Sequence, residues 1–336
     1  MIYPFKLRSF LANRIKSILG LKGDIKAPDV DTFCKRYCEF MKDQVILTDN
    51  NPLEIIGHQL GDFRHYPLNC NKLSHCYDIR QMMDTAFNIF NLTGIELDVQ
   101  LRYDGVICVM HDELPEQTAP IAEPYTSNNT LEGALLHLFE QETFQDKTMY
   151  IEIKCSHHSR LNDKEKKTIN SLSTLIHNLA NSNKTQKCHL KKQVKFISFN
   201  LSALNYLNTC SAHFPLDTIY IAVTDTWLLQ LLHLLPGRFM ESYGLFNGTM
   251  MNKLVTNTTL TGIWFDPLGI KNFAQKFNRI NEEREKHTPP LPPLDIGIST
   301  YKLSWDNFKK RFTNQGNRQL QNVSGLIVNI DTKRNR

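Results

Sequence analysis

Several patterns that would settle the class of this chain at once are missing. Its eight cysteines (Cys34, Cys38, Cys70, Cys76, Cys108, Cys155, Cys188 and Cys210) include no Cys-x-x-Cys pair. In a chain of 336 residues that argues against a zinc or disulfide framework and for reduced thiols in a cytosol-like compartment. The most apolar stretch, WLLQLLHLLPG (227–237), is about half the length needed to span a bilayer. The first residues lack the continuous apolar core of a signal peptide, so a cytoplasmic address is expected. No dense basic tract with interleaved aromatics occurs, and the net charge of +5 is mild, so nucleic acid is not an expected partner. There is no Walker loop, no nucleophile elbow around a serine and no internal repeat.

What is present is ordinary globular composition, 41% hydrophobic and 22% charged, enough for one large α/β domain. Residues 5–22 have an amphipathic pattern. Leu7, Phe10, Leu11, Ile15, Ile18 and Leu19 share one face, and Lys6, Arg8, Arg14 and Lys16 lie among the polar positions. That suits an anionic membrane surface, or equally a helix packed on its own domain. Residues 29–44 read as a second helix, on which Cys34 and Cys38 are packing residues. Residues 1–50 are thus expected to be a helical extension.

From residue 51 to 332 the texture changes. Eight short β-branched runs alternate with helical stretches: LEIIGH (53–58), TGIELDVQ (93–100), MYIEIK (149–154), VKFISF (194–199), IYIAVT (219–224), TGIWFD (261–266), LDIGIST (294–300) and SGLIVNI (324–330). Helices are expected over 78–91, 130–142, 162–182, 201–209, 226–235, 241–256, 268–287 and 303–320. Several runs are apolar on both faces, as helix-covered parallel strands are. Eight units in this length predict a (β/α)8 TIM barrel. A doubly wound open sheet is the alternative, weakened by the lack of a Gly-rich phosphate loop after the first strand.

Polar residues gather where such a barrel places its active site, at the C-terminal strand ends. His58 ends the first run, Ser198 the fourth and Asp266 the sixth. Glu96 and Asp98 share one face of the second run, about 7 Å apart. Glu152 and Lys154 do the same on the adjacent third run. Three carboxylates that converge in a low-dielectric mouth repel one another, and a hard divalent cation resolves this. The other reading is a structural ion-pair network around Lys154. The stretch YDGVICVMHDE then reads as a turn at Asp104-Gly105 and a short return that delivers His111 over the acids. Two histidines beside a cation suit acid–base work. CSHHSR (155–160), His65 and His75 fall in loops at the same face, and Trp264 reads as core.

These residues resemble the glycerophosphodiester phosphodiesterase family. GIELDVQLRYDGVICVMHDE (94–113) is similar to its signature, in which Glu-x-Asp leads through Asp-Gly to His-Asp. TLEGAL (130–135), IEIK (151–154), FISFN (196–200) and VSGLIVNID (323–331) follow in the family's order. The resemblance implies a metal-dependent barrel hydrolase that cleaves glycerophosphodiesters to an alcohol and glycerol 3-phosphate. Glu96, Asp98 and Glu152 would bind one divalent cation, Mg²⁺ or Ca²⁺. His58 and His111 would be the acid–base pair, and Lys154 would hold a phosphate oxygen. Gln59, Arg64 and Ser198 complete the expected substrate-binding set.

The chain also departs from that pattern. Gln59 stands where the family has Arg, with Arg64 or Arg80 as replacements, and no Trp follows in GISTY. The stretch from His111 to Glu152 is short, which predicts an open mouth. The sphingomyelinase D-like phospholipases share the two His, the Glu-x-Asp pair and the acid-x-Lys. They are the alternative, with a lysophospholipid in place of a small phosphodiester as substrate. An inactive barrel that binds a phosphodiester or a protein partner is the reading from another class.

Overall fold

The eight runs form eight strands in a computed structural model. It describes residues 24–26, 30–47, 52–61, 78–111, 129–155, 160–211, 214, 216–222, 246, 248–267, 270–300, 305–315 and 318–331. The strands are β1 Glu54–Gly57, β2 Gly94–Leu101, β3 Thr148–Ile153, β4 Val194–Ser198, β5 Asp217–Ala222, β6 Leu260–Phe265, β7 Asp295–Ser299 and β8 Leu320–Asp331. Each pairs in parallel with the next. β8 returns to β1, with Gly325 beside Glu54 and Val328 beside Gly57, so the sheet closes. The expected (β/α)8 barrel is the architecture.

Alternation along the strands sorts side chains between two environments. On β2, Ile95, Leu97, Val99 and Leu101 enter the core beneath the helices, as do Met149, Ile151 and Ile153 on β3. The opposite parity faces the barrel axis. There Ile56, Tyr150, Ile197, Trp264 and Ile327 form a separate apolar plug. Gly297 on β7 makes room for it, since a Cβ there would lie 2.6 Å from the Trp264 indole. Trp264 is thus core, as its pattern predicts. Below the plug, the Tyr150 hydroxyl donates to Glu54 Oε2 at 2.5 Å and accepts from Lys195 Nζ at 3.2 Å.

The helices depart in detail from their expected bounds. The 78–91 stretch is an α-helix, Ile79–Asp84, that widens into a π-helical turn, Thr85–Ile89. The last helix is shorter than expected, Trp305–Thr313, because β8 already begins at Leu320. A helix over Lys184–Gln193 was not evident in its polar sequence. The expected helix at 226–235, the beginning of that at 241–256, and residues 5–22 lie outside the described residues. No helix among the described residues is long and apolar enough to cross a membrane.

The extension is tied to the barrel by both backbone and side chains. Helix α1, Val30–Gln44, is flanked by two short strands, Asp24–Lys26 and Val45–Leu47, and both pair in parallel with β8. The Tyr37 ring of α1 meets those of Trp305, edge-on, and Phe308, tilted, on the last helix, with ring centres 4.7 Å apart in each case. The Arg36 guanidinium lies 4.3 Å from the centre of the Trp305 ring. Cys34 and Cys38 pack at the edge of this core, and no disulfide forms among the described cysteines. Tyr37 is 1% exposed, so Tyr37→Ala should cost about 3 kcal/mol, the usual range for truncating a buried aromatic. A single, earlier urea transition would report this. A separate low-urea step with the main transition unchanged would mean that the extension unfolds by itself.

Candidate metal centre and acid–base site

The acids meet where β2 and β3 lie side by side. Asp98 is the register partner of Glu152, and Glu96 that of Tyr150. Strand alternation turns all three acids to the axis above the plug, where each is 3% exposed or less. Glu96, Asp98 and Glu152 each offer an oxygen within 4.8 Å of the others. Among the described residues no other group of His, Cys, Asp and Glu has this spacing.

β1 contributes the next two residues through a backbone that few sequences allow. Gly57 has no room for a side chain, since a Cβ would sit 2.8 Å from Gly61 N and 2.7 Å from Leu92 Cδ1. The chain folds back on itself there, with positive φ at Gln59 (51°), Leu60 (61°) and Gly61 (85°). Left-handed backbone costs an ordinary side chain on the order of 1–3 kcal/mol. The turn aims the Gln59 N–H at Glu96 Oε2 (2.9 Å), and the Gln59 amide makes a long contact to Asp98 Oδ2 (3.4 Å). His58 Nδ1 lies 2.8 Å from Asn329 Oδ1 on β8. An amide oxygen only accepts, so Nδ1 carries the proton and Nε2 keeps its lone pair. Nε2 points inward, 3.9 Å from Glu96 Oε2.

His111 arrives by the predicted hairpin. Arg102 forks onto Asp104, Gly105 takes a φ of 87°, and Ile107–Val109 pairs antiparallel with Val99–Leu101. The Met110 N–H donates to the Asp98 carbonyl and the Gln100 amide to that of His111, which fixes the return at the level of the acids. Lys154 Nζ lies 2.8 Å from Asp98 Oδ1 and 2.6 Å from Glu152 Oε1. It also sits 5.9 Å from the centre of the Phe199 ring. The Ser198 hydroxyl turns inward, donating to the Ile153 carbonyl and accepting from Asn200 N–H, and the residue is fully buried. Ser198 therefore secures a strand end and presents no free hydroxyl to the mouth. Gln59 likewise faces the carboxylates. Arg64, Asp112, Glu113, His157 and His158 lie outside the described residues.

The charges are strongly coupled. Burial raises Glu96 well above the ordinary carboxylate range, and Asp98 and Glu152 add to the shift. Burial also raises Glu152, against the pull of Lys154. For Asp98 burial acts in the same sense, but Lys154, His111 and His58 outweigh it and hold the group below its usual value. Burial alone would lower Lys154, yet the three acids raise it, so it stays charged. Glu96 Oε1 is buried with no hydrogen-bond partner. An all-oxygen donor set with an orphaned carboxylate oxygen fits a hard divalent cation. Two oxygens on one ion lie at most about 4.2 Å apart for Mg²⁺ and about 5 Å for Ca²⁺, so a spread of up to 4.8 Å lies within the Ca²⁺ limit, and Mg²⁺ would need the oxygens no farther apart than about 4.2 Å.

Comparison of the sequence with protein families and with curated proteins returns no match. Among solved structures, the chain is similar to a glycerophosphodiester phosphodiesterase from Parabacteroides distasonis. The identity is 15% and the TM-score 0.43, with 83% of this chain and 93% of the other covered. An Oleispira antarctica phosphodiesterase in complex with sn-glycerol-3-phosphate gives 15% identity and a TM-score of 0.42, covering 81% and 92%. The carboxyl transferase domain of Rhizobium etli pyruvate carboxylase scores the same, at 12% identity and 0.43, with 92% of this chain and 44% of the other covered. Likeness at this level does not distinguish one barrel chemistry from another. The functional argument therefore rests on the site.

Three of its members escaped sequence reasoning. Asn329 lies inside a run that reads as a core strand, and its one signal is a polar residue near the C-terminal end of SGLIVNI. Gln100 and Phe199 carried no distinguishing signal.

Two outcomes test this electrostatic account. Lys154→Met removes the counter-charge of two buried acids and should cost about 3–5 kcal/mol in cation-free protein, read from the urea midpoint. Added Mg²⁺ or Ca²⁺ should recover part of the loss, and an unchanged midpoint would show that the acids need no counter-charge. Burial pushes His58 from 6.5 down to about 4, against Asp98 and the Asn329 bond, which pull it up. The fold thus favours the neutral ring. This contribution to stability is complete above pH 6.5 and is lost as pH falls toward 4. An NMR titration of His58 should find its midpoint near 4, and a midpoint near 6.5 would contradict the assignment.

Proposed function

We propose that this barrel is a metal-dependent phosphodiester hydrolase that acts on glycerophosphodiesters. One observation carries the reading. A histidine held at Nδ1 by Asn329 sets its Nε2 3.9 Å from Glu96, beside a buried cluster of three acids in the mouth of a (β/α)8 barrel. The pattern of acids and the return of His111 support it. Glu96, Asp98 and Glu152 would hold the cation, which when bound supplies Lewis-acid stabilisation of charge on a phosphoryl oxygen. His58 Nε2 accepts the proton of the attacking hydroxyl, from water or from a neighbouring alcohol of the substrate. As the new P–O bond forms, the bond to the leaving alcohol breaks. His111 donates the proton that this alkoxide takes up. Lys154 stays against Asp98 and Glu152 and directs its positive charge toward the phosphate.

The charge pattern of residues 5–22 favours a second reading, a phospholipase of the sphingomyelinase D-like kind that works at a lipid surface. A single assay separates the two. The purified protein is given glycerophosphocholine, glycerophosphoinositol and lysophosphatidylcholine with Mg²⁺, with Ca²⁺ and with chelator. Hydrolysis of the water-soluble diesters should occur, vanish in chelator, and fall at least about 100-fold in His58→Ala, as for loss of a general base. Turnover of the lipid alone would favour the second reading. No turnover by folded protein would leave a binding barrel.

A further inference from the structure

One step is repeated around the barrel axis. Ile56, Tyr150, Ile197, Trp264 and Ile327 make the plug, and two residues farther along each strand, about 7 Å higher, stands a residue of the mouth. Ile56 leads to His58, Tyr150 to Glu152, Ile197 to Phe199 and Ile327 to Asn329, all members of the site described above. Trp264 leads to Asp266, which that site does not use. Phe265 between them lies in the outer core, so alternation turns Asp266 to the axis, where it is 2% exposed. β7 takes the same step. Gly297 lies beside the Trp264 indole, Ile298 enters the outer core, and Ser299 follows on the axial side, 4% exposed. Gly297 pairs in register with Trp264 and Ile298 with Phe265, which sets Ser299 next to Asp266. Thr300, one residue on, donates its hydroxyl to the Ile327 carbonyl, and Ser299 makes no such bond among the described residues.

We propose that Asp266 and Ser299 form an alcohol-binding subsite, which takes the hydroxyl groups of a polyol carried by the phosphodiester. This rests on the hydrolase reading given above and names the part of the substrate which that reading leaves open. β6 is four strands from β2 in either direction around the closed sheet, so the pair faces the acids across the mouth. Asp266 stands outside the cluster of Glu96, Asp98 and Glu152, whose oxygens lie within 4.8 Å of one another. A phosphoryl group seated at those acids, Lys154 and His58 has room to extend one of its alcohols toward β6 and β7. A carboxyl oxygen accepts a hydrogen bond from a hydroxyl, and a serine hydroxyl gives or takes one. Neighbouring hydroxyls on one carbon chain match such a pair, and Phe199, packed against the plug, gives the carbons an apolar flank. An alcohol without hydroxyls would leave buried polar groups unsatisfied, which is how such a subsite selects its substrate.

The test is calorimetry on the full chain with Ca²⁺ or Mg²⁺ present. Three phosphates are compared: glycerol 3-phosphate, inositol 1-phosphate, and methyl phosphate, whose alcohol carries no further hydroxyl. The wild type should bind at least one of the polyol phosphates about 10-fold or more tighter than methyl phosphate. Asp266→Ala should remove most of that margin and Ser299→Ala about 3-fold of it, with the affinity for methyl phosphate unchanged in both. Which polyol phosphate loses affinity tells whether the subsite holds the glycerol or the headgroup. Thermal unfolding checks that each variant folds, and if Asp266→Ala does not, Asp266→Asn and Ser299→Ala carry the test. A wild type without the margin, or a margin kept by the folded variants, would overturn the proposal. A wild type that shows the margin, loses it in the variants and hydrolyses no diester would sink the hydrolase reading and leave the subsite standing. Suppose instead that the variants slow hydrolysis of glycerophosphocholine and of bis(4-nitrophenyl) phosphate equally. The hydrolase reading would then stand, and the subsite would be overturned.

Discussion

Three carboxylates share a buried space at the mouth of the barrel, and most of the surrounding structure answers to that. Removing one carboxylate from water is costly, and placing three within 4.8 Å adds mutual repulsion. The described residues meet this cost in part. Lys154 bridges two of the acids, and the Gln59 N–H takes one oxygen of the third. The burden that remains is concentrated on Glu96, whose proton affinity is raised most strongly and whose second oxygen has no partner. A site left short of positive charge in this way could hold a cation.

The barrel supplies the low dielectric that makes these charges effective. Beneath the acids the plug of Ile56, Tyr150, Ile197, Trp264 and Ile327 excludes water from the axis. The deeper polar groups, Glu54, Tyr150 and Lys195, satisfy one another at the opposite end. Burial at the mouth also keeps His58 neutral, so that an imidazole close to acids can still accept a proton. In water the same neighbours would raise its pKa.

β8 links the extension to the site. It closes the barrel against β1, pairs with both short strands around α1, and carries Asn329 near its C-terminal end, against His58. Its twelve residues exceed the seven expected from SGLIVNI, because segments from the extension pair along it. The aromatic contacts of Tyr37 with Trp305 and Phe308 hold α1 onto the last helix. The extension is therefore part of the framework that orients His58, although the sequence marked it only as a helical preface.

Much of the fold and part of the site were legible in the residue order. Each strand announced itself by a short β-branched run. Glu-x-Asp and Glu-x-Lys placed their charges on the axial face by strand parity, and Asp104-Gly105 marked the turn that returns His111. These are properties of neighbours in the chain, set by steric and hydrophobic periodicity over a few residues. The bond from His58 to Asn329 spans 271 residues and exists only once β8 has closed on β1. The inward aim of Gln59 depends on Gly57 and Gly61 meeting across a turn, and the inward hydroxyl of Ser198 on the carbonyl of a neighbouring strand. The sequence by itself determined the barrel and the identity of the three acids. Only the tertiary structure decided which oxygen each acid keeps free and which histidine nitrogen carries the proton, because hydrogen-bond partners between strands are fixed by barrel closure and not by spacing along the chain.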